Sequence, residues 1–260
     1  MLSPSRRWPL VHYVLLAMLL VVGKTQAASS ILIWPIDPVL EADQQASALW
    51  LENRGNEPVN LQVRVFGWSQ SEFAEQYQNQ RDVIGSPPVA RMEPGEKQLV
   101  RLTRTREMPV GTEQAYRIII DEIPAAKRPD TDGQASAAIQ FQMRYSIPLF
   151  AYGTGLWSKE DLNRPRDPKG VGTPDLSWRK VNEGGRAYLE IRNRGAIHAR
   201  LTDVKIELGG QYHAVNEGLL GYVLPGATMR WPLPEQLTGG QELQLRINAA
   251  PQPQSIKISQ

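Results

Sequence analysis

Residues 138–152, AIQFQMRYSIPLFAY, carry the pattern that leaves this chain the fewest ways to fold. Ile139, Phe141, Met143, Tyr145, Ile147 and Leu149 share one parity, and Gln140, Gln142, Arg144 and Ser146 share the other. A period of two puts the first set on one face of a β-strand and the second on the opposite face. A polar stretch, residues 125–136, precedes it, with Pro129, Asp130, Asp132 and Gly133 and no hydrophobic pattern. Two roles fit such a strand. It is a core strand of a sandwich behind an ordinary hairpin loop, or it is an apolar edge kept available for a partner. A long apolar edge invites aggregation unless the protein exists to use it.

The same alternation recurs in short runs on both sides. Residues 46–53 (ASALWLEN) set Ala48, Trp50 and Glu52 against Ser47, Leu49 and Leu51, and residues 59–68 (VNLQVRVFGW) turn Leu61, Val63 and Val65 inward. The turn Asn53-Arg54-Gly55-Asn56-Glu57-Pro58 joins these two runs. Residues 31–37 read as a first strand whose Pro35, followed by Pro38, favours a sheet edge. Residues 69–82 read as a surface excursion, and Glu93-Pro94-Gly95-Glu96 as a type II turn. Residues 98–104 and 114–123 are further strands. About seven short strands separated by turns, with no convincing helix, are the mark of an immunoglobulin-like sandwich.

Composition shifts to a linker at residues 153–172, rich in Gly, Pro and charge. Strand-like runs resume at 175–181, 186–193, 199–208, 211–214, 227–233 and 241–248, and 254–259 can close an edge. The expected class is therefore all-β. The expected domains are 28–152 and a smaller sandwich, 153–260, after a signal peptide, 1–27. That first segment has Arg6 and Arg7, an apolar run at 13–22 and small residues at its end. The run is shorter than the ~20 residues of a membrane span, as a secretory signal requires.

Export changes the meaning of the charge. Three of the 29 Lys and Arg, namely Arg6, Arg7 and Lys24, leave with the signal, against 27 Asp and Glu. The remaining chain is near neutral, which gives no reason to expect nucleic acid as a partner. No later stretch is apolar enough to insert in a membrane after signal cleavage. With no cysteine, disulfides, thiol catalysis and zinc–thiolate sites are excluded.

No catalytic set emerges, so no enzyme, no cofactor and no metal site is expected. His12 leaves with the signal, and His198 and His213 lack metal-ligand spacing and an obvious carboxylate partner. Asp121 and Glu122, adjacent in a strand, point to opposite faces. Trp34, Trp50, Trp68 and Trp157 are core anchors or a sugar platform, the latter making a secreted carbohydrate-binding or adhesin-like sandwich the alternative function.

Four motifs then converge. Pro87-Pro88-Val89 with Arg91 and Pro94-Gly95, then Val100-Arg101-Leu102, then Asp121-Glu122-Ile123-Pro124, then the alternating strand ending in Pro148-Leu149-Phe150, resemble the PapD-like periplasmic pilus chaperones. The wording of residues 114–124 and of RYSIPLF is most similar to the archaic branch, that of Csu or spore-coat-U-type pili. The resemblance implies two immunoglobulin-like β-sandwich domains joined at an angle around a cleft. It implies a periplasmic protein whose partners are pilin subunits and an outer-membrane usher. It also implies donor-strand complementation, in which Ile139, Phe141, Met143 and Tyr145 fill the groove of an incomplete pilin. Burying such side chains is worth roughly 1.5–3 kcal/mol each before ordering costs. An exposed edge of this kind also leaves self-association open. The family's Arg and Lys that bind the pilin's terminal carboxylate are replaced here by Asp37 and Pro148, and the Arg that follows that strand in the family, a member of its interdomain salt bridges, is missing, with Tyr152-Gly153 near its position. Arg117 and Arg144, on neighbouring strands, are the candidate carboxylate anchor, with solvated sheet-face charges as the other reading.

Overall fold

A computed structural model describes residues 30–124, 142–161, 163–164 and 166–258. The proposed signal segment, the polar stretch, Ile139 and Phe141 lie outside them. The first half holds β1 (Ile31–Trp34), β2 (Val39–Leu40), β3 (Ala46–Asn53), β4 (Val59–Ser71), β5 (Ala74–Asn79), β6 (Val83–Ser86), β7 (Val89–Met92), β8 (Lys97–Arg104), β9 (Glu113–Ile123) and β10 (Arg144–Tyr152). The second holds β11 (Leu176–Glu183), β12 (Arg186–Asn193), β13 (Ala199–Leu208), β14 (Gln211–Val223), β15 (Thr228–Pro232), β16 (Glu242–Ile247) and β17 (Gln254–Lys257).

Each half is two facing sheets. In the first, β1-β3-β8-β6 packs on β2-β10-β9-β4-β5, with β7 also paired to β4. Leu49, Leu51, Val100 and Leu102 of one sheet meet Leu61, Val63, Ile118, Ile120, Ile147 and Leu149 of the other. These are the inward parities of their strands, so the binary pattern is satisfied in register. In the second half, β11-β12-β15 packs on β14-β13-β16-β17 around Trp178, Leu189, Ile191, Leu201, Ile206, Leu243 and Leu245. The prolines after β1 mark a change of sheet: β1 is an edge beside β3, and past Pro35 and Pro38 the chain joins the other sheet as β2. Residues 69–82 are more ordered than a surface excursion. β4 runs on to Ser71 and folds back as β5, an exposed but fully paired hairpin.

Both sandwiches turn one corner in the same way. Asn53 and Asn193 are fully buried at the ends of β3 and β12, each followed by Arg-Gly. Asn53 Nδ2 donates to the carbonyls of Glu57 and Met92, and its Oδ1 accepts from Gly55 N–H. Asn193 Nδ2 donates to Ile197 and Val223, and its Oδ1 accepts from Gly195 N–H. A Pro-Gly turn closes each corner: Gly95 N–H bonds Asn53 O, and Gly226 N–H bonds Asn193 O. Gly95 has φ +78°, and Glu96 N–H reaches Glu93 O at 3.0 Å, the type II geometry that needs glycine at the third position.

A third apolar cluster joins the halves. Trp68, Phe150 and Tyr152 of the first sandwich pack on Ile197, Tyr222 and Leu224 of the second, with Leu156 from the connection between them. Among the described residues no helix is long and apolar enough to cross a membrane.

Candidate functional site: the open edge of β10 and the cleft

β10 has one paired side and one open side. Its ladder with β9 runs from Arg144↔Asp121 to Tyr152↔Glu113, and one residue earlier Glu122 N–H still donates to Met143 O at 3.1 Å. That bond sets the phase. Antiparallel pairing alternates, so Tyr145, Ile147 and Leu149 spend their backbone groups on β9, while Arg144, Ser146 and Pro148 direct theirs outward. On the outer side β2 pairs only Phe150 and Ala151, in parallel. Among the described residues no strand covers β10 from Arg144 to Leu149. Pro148 fits there because its missing N–H would have faced outward and no bond to β9 is lost.

The side chains divide the same way. Tyr145 lies on the inward face, partly buried against the first core, whereas Met143, two residues before it, is 43% exposed. The apolar parity therefore leaves the sandwich after Tyr145; Phe141 and Ile139, which share that parity in the sequence, lie outside the described residues. The opposite face of the sheet carries Arg144, Ser146, Pro148 and Phe150 of β10, Arg117 and Asp121 of β9, and Arg64 and Trp68 of β4.

Arg117 and Arg144 share this face but do not meet. Their ladder partners are Pro148 and Asp121, four positions apart, or about 13 Å along the strands. Arg144 pairs with Asp121, which also accepts from Arg64 at 2.6 Å. Burial alone would raise the Asp121 carboxyl; the two guanidinium groups outweigh it and hold that carboxyl below the usual range. Arg117 is buried, its side chain 9% exposed, with its guanidinium 3.8 Å over the Trp68 ring and 5.2 Å from Tyr222. Its Nη2 is 3.4 Å from Glu75 Oε1, and Nε has no hydrogen-bond partner.

Arg117 opens on a cleft between the sandwiches. Two adjoining cavities lie there, of about 410 and 630 Å³, and both are lined by Asp37, Arg200, Tyr222 and Ala249. The smaller one also takes Arg117, Pro148, Ile36 and Leu219. Asp37 and Pro148, the two positions where the family resemblance led to Arg and Lys, thus face one cavity that holds two other cations.

At the other end of β10 the structure reverses the reading of His198 as a side chain without a carboxylate partner. Its Nδ1 lies 2.8 Å from Glu113 Oε2, and its backbone N–H donates to Oε1 at 3.0 Å. Tyr152 O–H donates to the same carboxylate at 2.9 Å, and the imidazole stacks on Phe150 at 3.5 Å and 3°. Glu113 and His198 are 85 residues apart, so no local signal could have paired them. The tryptophans also separate. Trp68 is in the inter-sandwich cluster, Trp157 lies under Arg166, and Trp34 and Trp50 stack at 6.1 Å on paired positions of β1 and β3. Among the described residues no group of His, Asp and Glu could hold a metal ion.

Two sandwiches around a cleft, with the β10 edge uncovered from Arg144 to Leu149 and a buried cation beside it, make a frame suited to take up another strand. Comparison gives that class a family. The model for pili and flagellar-assembly chaperones, PapD N-terminal domain, matches residues 37–156. A chain of the CsuC–CsuE chaperone–tip adhesion subunit pre-assembly complex, from archaic chaperone-usher Csu pili of Acinetobacter baumannii, is 34% identical. That match covers 88% of this chain and 98% of the other, with a TM-score of 0.70. The E. coli chaperone DraB (18% identity, 90% and 97% covered, TM-score 0.57) has the same fold. So does a chain of the Salmonella enterica SafA pilin–SafB chaperone complex (17%, 89% and 98%, 0.59). No curated protein matches in sequence. This chain belongs to the PapD-like family of pilus chaperones, in the archaic Csu branch. It is a pilus-assembly chaperone, and the carbohydrate-binding alternative is not favoured.

Proposed function

We propose that this chaperone holds pilin subunits in the periplasm by donor-strand complementation through β10 and its N-terminal extension, and passes them to an outer-membrane usher. The observation that carries the reading is the open edge of β10. Arg144, Ser146 and Pro148 offer outward backbone groups next to an apolar parity that leaves the fold at Tyr145. A partner strand docked there gains ladder bonds for register and side-chain burial for affinity. Ile139, Phe141, Met143 and Tyr145 are the groove-filling residues, and binding is noncovalent, without catalysis. Residues 28–152 form the subunit-holding domain and 153–260 the second. The partner's terminal carboxylate is held in the cleft by Arg117, with Arg200 across the cavity; Arg144 is engaged by Asp121. The relatives support the partner class, since their complexes contain a tip adhesion subunit and a pilin.

The test is co-purification from periplasm of the tagged chaperone with the secreted subunits encoded beside it. Wild type is expected to bring down a subunit, and Phe141→Asp and Met143→Asp to lose at least about tenfold of it with the fold unchanged, as removal of buried apolar contacts requires. Undiminished recovery with both variants would remove the donor-strand assignment.

A further inference from the structure

The β4–β5 hairpin reaches over the cleft and brings a carboxylate to Arg117. Glu75, in β5, contacts Arg117 Nη2 at 3.4 Å. That is long for a charge-assisted bond, which settles at about 2.7–2.9 Å. Nε and Nη2 lie on one edge of a guanidinium, the edge that receives a carboxylate side-on with one oxygen on each nitrogen. Glu75 engages only Nη2 of that edge, and Nε is buried without an acceptor. Its other oxygen, Oε2, is taken by the hydroxyl of Tyr77 on the same strand. Burial and this neighbouring carboxylate push the Tyr77 hydroxyl up to about 12, so it remains a donor at neutral pH.

A buried cation is costly without a counter-charge, and an incomplete pair is less favourable than a bidentate one. The cavity holds two cations, Arg117 and Arg200, against two carboxylates, Asp37 and Glu75. An entering anion meets an already balanced site unless one of these carboxylates withdraws. Asp37 is exposed as well, but Glu75 is the carboxylate in contact with Arg117, and it is free to withdraw, since it is 34% exposed and sits on a hairpin strand exposed along its whole length.

We infer that Glu75 is an internal placeholder for the partner's terminal carboxylate: it half-fills the Arg117 fork in the free chaperone and is displaced when a C-terminal carboxylate binds both nitrogens. This rests on the reading of Arg117 as the carboxylate anchor. It makes the site selective, because a ligand that offers only one oxygen gains nothing over Glu75. The exposed Ile36 and Leu219 on the rim of the cavity favour an apolar terminal residue.

The test uses N-acetyl-leucine, a minimal carboxyl terminus, and N-acetyl-leucinamide as its uncharged twin. Each is titrated into the full chaperone while the Nε resonance of Arg117 is followed by NMR, assigned by its absence in Arg117→Gln. In Glu75→Gln the acid is expected to shift that resonance with a midpoint about tenfold or more below wild type, as removal of a competing charge-assisted contact requires. The amide is expected to shift neither protein. Equal midpoints in the two proteins, no response to the acid in Glu75→Gln, or an equal response to the amide would overturn the placeholder. Subunit co-purification with Arg117→Gln reports on the anchor separately. If recovery is undiminished there, Arg117 does not anchor the subunit, whatever the titration shows.

Discussion

At the scale of single residues, two buried asparagines tie together the corners of the sandwiches. Each one satisfies two carbonyls and a glycine N–H, and Asn193 also accepts from Asp175 N–H. Asn193→Ala is expected to cost about 2–4 kcal/mol, because it leaves the buried groups of Ile197, Val223 and Gly195 without partners. Urea unfolding at neutral pH measures this, and a loss below about 1 kcal/mol would mean that water replaces the amide at that corner. The repeated Asn-Arg-Gly was visible in the chain as turn chemistry. Its deeper meaning was not, because the acceptors of Asn193 include Val223, 30 residues away.

At the scale of elements, β10 combines a strand that completes one core with an edge that is left open. The inward parity could be read directly: Ile147 and Leu149 are buried and Tyr145 is half-buried, as period-two patterning requires. Which backbone groups face outward could not be read, since that depends on the phase of the β9 ladder. The phase makes a sharp prediction. Ser146→Pro removes an N–H that points away from β9, so the chaperone should fold with a melting temperature within about 4 °C of wild type, the upper end of the shift for roughly 1 kcal/mol in a chain of this size. The same change removes a donor from the edge and should abolish subunit recovery from periplasm. An unfolded variant would show that Ser146 N–H bonds inward, and full recovery would show that the partner strand does not use this edge. The β4–β5 hairpin is a surface excursion, as its composition indicated, but a paired one. The Gln, Glu and Asn residues of β5 are polar because both faces of that strand are exposed, not because it lacks a ladder.

At the scale of the whole molecule, the two sandwiches are held together by aromatic packing and by a few polar contacts of long sequence separation. Gln70 acts as a false strand: its Nε2 donates to Tyr222 O and its Oε1 accepts from Leu224 N–H, both at 2.9 Å. Glu113 ties Tyr152 to His198. Arg230 of the second sandwich lies 3.7 Å over the Phe73 ring at the tip of the β4–β5 hairpin. The double variant Gln70→Ala, Glu113→Ala removes both clasps and leaves each core intact. Its calorimetric unfolding is expected to separate from one transition into two, with a larger radius of gyration in solution scattering. A single transition at an unchanged scattering profile would assign the coupling to the aromatic cluster of Trp68, Phe150 and Tyr222 together with the Arg230–Phe73 contact.

What the sequence determined by itself is what depends on neighbours along the chain. Alternation set the strands and their buried faces, Pro-Gly and Asn-Arg-Gly set the turns, and the missing helical period and cysteines set the class. The motif order from Pro87 to Phe150 was enough to indicate the family. What only the tertiary structure decided is what depends on register and on the meeting of distant strands. The four-position offset keeps Arg117 and Arg144 apart, and the crossing of the β4–β5 hairpin brings Glu75 to Arg117. The approach of the second sandwich gives His198 its carboxylate. The two contacts join residues 42 and 85 apart in the chain, and hydrophobic period carries no information about where two such residues meet.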